Sequence, residues 1–126
     1  MIALDATFLI DYLNGVDATA AFLDQQDAPV YYSSAIAMFE IYQGAAQHDG
    51  DAIATAEESL DWVEPLEFDH EAAKEAARVN AEAMENGRSI NIGDVLIAGI
   101  CRRHGATLVT RDGDFGTITG LETIDY

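Results

Sequence analysis

Short apolar runs alternate along the 126-residue chain with longer stretches whose apolar positions recur every three or four residues. Met1 to Leu4 is an apolar run suited to a buried strand, and Thr7 to Leu13 continues with helical spacing through Phe8, Tyr12 and Leu13 until Asn14-Gly15 ends it. Val16 to Gln25 reads as a helix with Ala20, Ala21 and Leu23 inward. Pro29 introduces VYYSS, which is rich in strand formers, and Ser33 or Ser34 can cap a helix running to about Gln47. His48-Asp49-Gly50 breaks the chain there.

Residues 51 to 62 form another helix, followed by a short strand from Val63 to Phe68 whose Pro65 points to an edge position or a bulge. From Asp69, the expected cap, to about Glu85 the spacing of Ala73, Ala76, Ala77, Asn80, Ala83 and Met84 is helical. Asn86-Gly87 stops that helix, and Asp94 to Arg103 repeats the pattern through Leu96, Ile97, Ile100 and Cys101 before His104-Gly105. ATLVT and LETID then read as strands. Strands separated by helices imply right-handed crossovers and a parallel sheet covered on both faces, an α/β fold. With no repeat, low-complexity tract or Pro/Gly-rich linker, residues 1 to 126 read as one domain. A chain of this length buries ~65% of its unfolded surface.

Charge changes the picture more than composition does. Twenty-three acids against six Lys and Arg leave a net charge of −17, and Lys74 is the one lysine. The plain reading is a solvated acidic surface adapted to molar salt, where the Debye length is ~3 Å, as in a halophile. The sharper reading is a surface made to bind cations or basic partners. Phosphate recognition ordinarily draws on Lys and Arg. In high salt that counterion term is largely lost, so recognition must rest on metal coordination, local arginines and shape. Cys101 is the one cysteine, which excludes an intramolecular disulfide, and its apolar helical setting reads as a buried inert thiol. Asp5 and Asp11 interrupt the N-terminal apolar run, so neither a signal peptide nor a membrane span is expected and the cytoplasm is the natural compartment.

Among the many acids, a few stand in or beside apolar surroundings, where lost hydration disfavours charge by several kcal/mol unless a cation or hydrogen bonds compensate. Asp5 closes the first strand, Asp112 follows ATLVT by one residue, and Asp94 falls in the first turn of its helix. Ligands of open α/β sheets collect at the carboxyl ends of strands, so these acids can converge. Glu40 shares a helical face with Ile36, Phe39 and Gln43. Each acid also has an ordinary role available: Asp5 and Asp94 as helix caps, Asp112 and Asp114 as turn formers. Thr7 either lends a hydroxyl to the site or caps its helix. Arg111 either holds a substrate phosphate or pairs with Asp112 or Asp114, while Arg102 and Arg103 suit the dipole at a helix C-terminus. His48, His70 and His104 fall at helix boundaries without ligand spacing, and no Ser-His-Asp set, phosphate-binding Gly-rich loop or CxxC pair can be assembled. Hard divalent cations such as Mg²⁺ and Mn²⁺ prefer oxygen ligands, so a shared metal is the most economical account of the acids.

The order and spacing of ALDATFLIDYL, SSAIAMFEIYQG, SINIGDVLIAGICRRHGATLVTRDGDF and GLETIDY resemble the PIN-domain family of ribonucleases, and within it the VapC-type toxins of toxin-antitoxin pairs. The resemblance covers nearly the whole chain. It implies a three-layer α/β/α domain with a central, mostly parallel sheet of about five strands. It also implies that Asp5, Glu40, Asp94 and Asp112 are the acidic quartet that binds Mg²⁺ or Mn²⁺, with Asp114 as the second acid of the same turn. Ala37 and Ala6 stand where the family often has hydroxyl residues.

The function so implied is metal-dependent endoribonucleolytic cleavage leaving a 5′-phosphate, with a small antitoxin as partner, a homodimeric assembly and a tRNA or rRNA loop as target. Rival readings are a phosphoacceptor receiver domain, an aspartyl-nucleophile phosphatase, and a non-catalytic acidic scaffold or degenerate PIN domain. The receiver lacks its lysine after the last core strand, and Thr7 stands where the phosphatase needs a second acid.

Overall fold

Strand β1 (Ile2–Leu4) lies at the centre of an all-parallel sheet of five strands in the order β3-β2-β1-β4-β5. A computed structural model describes residues 1–126, and the element order is β1, α1 (Ala6–Leu13), α2 (Asp17–Gln25), β2 (Tyr31–Ser34), α3 (Ala35–His48), α4 (Ala52–Ser59), β3 (Val63–Leu66), α5 (His70–Glu85), α6 (Ile92–His104), β4 (Thr107–Val109), a 3₁₀ turn (Gly113–Thr117) and β5 (Thr123–Ile124). The chain steps outward from β1 to β2 to β3, then returns across the sheet to β4 beside β1. Right-handed crossovers therefore put α1 to α4 on one face and α5 with α6 on the other. The point where strand order reverses lies between β1 and β4, where Leu4 pairs with Val109 and the Asp5 N–H donates to the Val109 carbonyl at 3.0 Å.

Several local expectations hold for the reasons given. Pro65 sits on β3, an edge strand, where the missing N–H leaves no gap on the solvent side. Ser34, not Ser33, caps α3 by accepting the Ala37 N–H at 3.0 Å, and Ser33 instead donates across the sheet to the Leu4 carbonyl at 2.7 Å. Asp69 caps α5 through the Ala72 N–H. Strand β1 and its neighbours bury Leu4, Leu108 and Val109, against which Phe8, Leu9, Ile97, Ile100 and Phe115 are packed with almost no exposure.

Other expectations shift, chiefly where alanines blur the pattern. Helix α5 buries Ala72, Ala76, Val79 and Ala83; Ala73, Ala77 and Met84 face water. In α2 the buried positions are Thr19 and Phe22 rather than Ala20 and Ala21, with Leu23 half-buried. Helix α4 ends at Ser59 rather than running on to Trp62, because Leu60 turns into the core and leads directly to β3. Helix α6 begins two residues before Asp94, capped by Asn91 through the Gly93 N–H.

Helices α5 and α6 approach very closely where Gly99 meets Ala76. A Cβ at position 99 would stand 2.6 Å from the Ala76 Cβ and 2.7 Å from its Cα, so only glycine fits without displacing backbone.

Candidate metal centre

The reversal of strand order delivers two carboxylates to one end of the sheet. Asp5 leaves β1 and is 4% exposed, yet in the helix-cap position its side chain makes no capping bond. Its Oδ2 instead accepts the Thr110 hydroxyl at 2.7 Å and the Thr7 hydroxyl at 3.3 Å. Thr110, the residue just past β4, in turn accepts the Asp112 N–H at 3.0 Å, so one hydroxyl ties the loops after the two central strands together. Asp112 then accepts the Asp114 N–H at 3.0 Å and caps the 3₁₀ turn, the ordinary turn role open to this pair.

Two helices bring further acids. Asp94 lies inside the first turn of α6, half-buried, and is not the cap. Glu40 projects from α3, but the face it shares with Phe39 is exposed; the buried residues of α3 are Ala37, Met38 and Ile41. The sequence argument that sets Glu40 on an apolar face therefore fails, since Phe39 is 58% exposed. What places Glu40 at the site is its neighbours. A Cβ at Gly93 would come within 3.3 Å of the Glu40 Oε1, so the turn that opens α6 makes room for this carboxylate by lacking a side chain.

These acids act on one another. Burial first, then the charges of Asp112, Asp5 and Asp114, push the Asp94 carboxyl up to about 6. Glu40, though on an exposed face, is raised by partial loss of water around its carboxyl and then by the charges of Asp5 and Asp94. Asp5 is raised mainly by burial, against the hydrogen bonds from Thr110 and Thr7, with Asp112 adding repulsion. No arginine or lysine offsets any of the three. Five acids from four separate stretches of sequence thus form one electrostatic group without an internal cation. As their side chains stand, no three are spaced closely enough to ligate one ion. No side-chain hydrogen bond holds the carboxylate of Glu40 or Asp94. An all-carboxylate donor set with excess negative charge fits a hard divalent cation.

The remaining expectations separate. Thr7 contacts Asp5, and Arg111 pairs with neither Asp112 nor Asp114 but with Asp11 at 3.2 Å. Asp11 also accepts the Tyr126 hydroxyl at 2.6 Å, and Tyr126 packs edge-on against Phe8. Arg102, expected to serve the helix dipole, is instead 13% exposed and held by Glu75 and Glu82, each at 2.7 Å. Cys101 is buried among apolar groups, which push its thiol up to about 12 and leave it unreactive. Lys74 pairs with Glu71 on the surface of α5, away from any receiver-type position. Sequence reasoning misses Thr110 as a site residue; its place one residue past an apolar run and two before an acid is the available signal. No helix is long and apolar enough to cross a membrane.

Comparison with known proteins gives the family and the fold. The family model described as the PIN domain matches residues 2–121. Ribonuclease VapC11 of Mycobacterium tuberculosis is 32% identical over an alignment of 133 residues covering 98% of this chain and 96% of that protein. The tRNA(fMet)-specific endonuclease VapC of Shigella flexneri is 29% identical over 96 residues, covering 74% of this chain and 73% of its own. Among solved structures, VapBC2 from Rickettsia felis bound to a promoter DNA fragment superposes with a TM-score of 0.89 at 22% identity, covering 99% of this chain and 98% of that one.

Proposed function

This chain belongs to the PIN-domain family, and from that premise we propose that it is a metal-dependent endoribonuclease, the toxin of a toxin-antitoxin pair, acting as a single nuclease domain. The observation that carries the reading is Asp5, a nearly fully buried carboxylate at the strand-order reversal that shares its site with other acids and with no cation. Names borne by the relatives support RNA as substrate, and the solved VapBC complexes support a small antitoxin as partner. A tRNA or rRNA loop as target and a homodimeric assembly belong to the same reading, as does action in the cytoplasm.

Asp5, Glu40 and Asp94 would hold the ion, Mg²⁺ or Mn²⁺, with Asp112 as fourth ligand and Asp114 beside it. When bound, such an ion lowers the pKa of water and offsets charge developing on the phosphate. The residues do the rest. Thr110 fixes the rotamer of Asp5 and, through the Asp112 N–H, the start of the acidic turn. Thr7 donates to the same oxygen of Asp5, leaving Oδ1 free of side-chain donors. The raised Asp94 and Glu40 take up protons readily without an ion, which makes both the tightness of metal binding and the charge of the site depend on pH.

Purified protein incubated with total RNA should cut it in Mn²⁺ or Mg²⁺ and leave ends that ligate as 5′-phosphates, while EDTA should stop cleavage. Full cleavage in EDTA would refute the metal reading. Sequencing the new 5′ ends after induction in cells identifies the target.

A further inference from the structure

Beside the acids a cleft of about 270 Å³ opens between the start of α6 and the 3₁₀ turn, lined by Arg88, Ser89, Asn91, Asp94, Asp114 and Thr117. The cations of the molecule are otherwise engaged or distant. Lys74, Arg78 and Arg102 pair with Glu71, Glu75 and Glu82 on the α5 side, and Arg111 is held by Asp11. Arg103 lies at the far end of α6, where its charge acts on Asp69. Arg88 differs from all of these. It has no carboxylate partner, and its Nη1 donates to the Thr117 carbonyl at 2.8 Å, which fixes the guanidinium on the cleft wall without neutralising it.

A guanidinium without a carboxylate partner, in a chain of net charge −17, is suited to an anion bound at its side of the cleft, set apart from the carboxylates on the other side. We propose that Arg88 binds a phosphate of the RNA strand next to the scissile one, with the strand passing through this cleft, and that Arg111 does not serve this role. This rests on the ribonuclease reading above. The Thr117 carbonyl orients the guanidinium and leaves its other N–H groups for a bidentate contact.

The test compares Arg88→Gln, Arg88→Lys and Arg103→Gln, the last removing an equal charge far from the cleft, by steady-state cleavage of a short oligoribonucleotide the wild type cuts. Arg88→Gln should raise KM by about tenfold, the size of one charge-assisted contact, with kcat little changed. Arg88→Lys should recover part of the loss, and Arg103→Gln should resemble wild type. Substrates carrying one methylphosphonate at successive positions should show one position that harms wild type and not Arg88→Gln. Equal KM values for Arg88→Gln and Arg103→Gln, with wild-type cleavage normal, overturn this inference alone. A wild type that cuts no RNA with divalent metal overturns the ribonuclease reading and this inference with it.

Discussion

Helix α6 carries an electrostatic cluster at each end, and the two are opposites. In its last turn Arg102 sits between Glu75 and Glu82 of α5 and also donates to the Thr119 carbonyl, so every charge has a partner from the chain itself. In its first turn Asp94 meets Asp5, Asp112, Asp114 and Glu40, and all the charges have one sign. The first cluster is closed and joins two helices to the segment before β5. The second is open, held in place by the fold, and has no salt bridge from the chain itself. A buried acid stands out here because its counterion is missing; burial alone would single out Asp11 as well, which Arg111 and the Tyr126 hydroxyl partner.

Three changes sharpen that contrast. The largest effect is expected at the open end: Asp94→Asn should lower RNA cleavage by at least ~10²-fold while leaving the melting temperature unchanged or higher, because it removes repulsion. Cleavage within a few-fold of wild type would make Asp94 dispensable. At the closed end Arg102→Met should do the reverse, lowering stability by about 2 kcal/mol in denaturant titrations with kcat little altered. Glu82 is open enough to water to keep that loss below the value for a fully buried pair.

The smallest effect separates the ends by pH. Asp94 is raised to about 6, so in metal-free protein its contribution to stability is fully present below the ordinary carboxylate range and is lost as pH rises through about 6. Glu75 is lowered by Arg78 and Arg102, so its contribution is present above the ordinary range and is lost only as pH falls below it. Melting curves in EDTA should therefore rise by a few degrees from pH 7 to pH 5, and the rise should shrink in Asp94→Asn. Over the same interval Mn²⁺ affinity should fall as protons compete for the site.

Sequence periodicity locates every strand and every helix, since short β-rich runs, caps and breakers are local signals. It misjudges faces where alanine dominates: in α5, Ala72 and Ala73 carry the same side chain, and only Val79 identifies the buried row. Acids at strand ends can be read because every strand of a parallel sheet carries its carboxyl end to the same side. Glu40 stands out in the sequence for a face that is in fact solvent-exposed, and it reaches the site through tertiary placement instead. The pairing of Arg111 with Asp11 and of Arg102 with Glu75 joins residues far apart in sequence, which no local pattern encodes. Thr110 illustrates the remaining gap, because a hydroxyl bonding two loops looks like any threonine in a turn.

The contact of Gly99 with Ala76 has a kinetic consequence. With backbone nearly against side chain, α6 cannot slide along α5 without collision, so the helix bearing Asp94 is fixed in place before any ion arrives. On the metal reading proposed above, side-chain motion of picoseconds to nanoseconds, and not a helix shift of microseconds to milliseconds, would bring the carboxylates together. Stopped-flow mixing of the metal-free protein with Mn²⁺ should then show a single phase, and a slow second phase would mean that α6 does move.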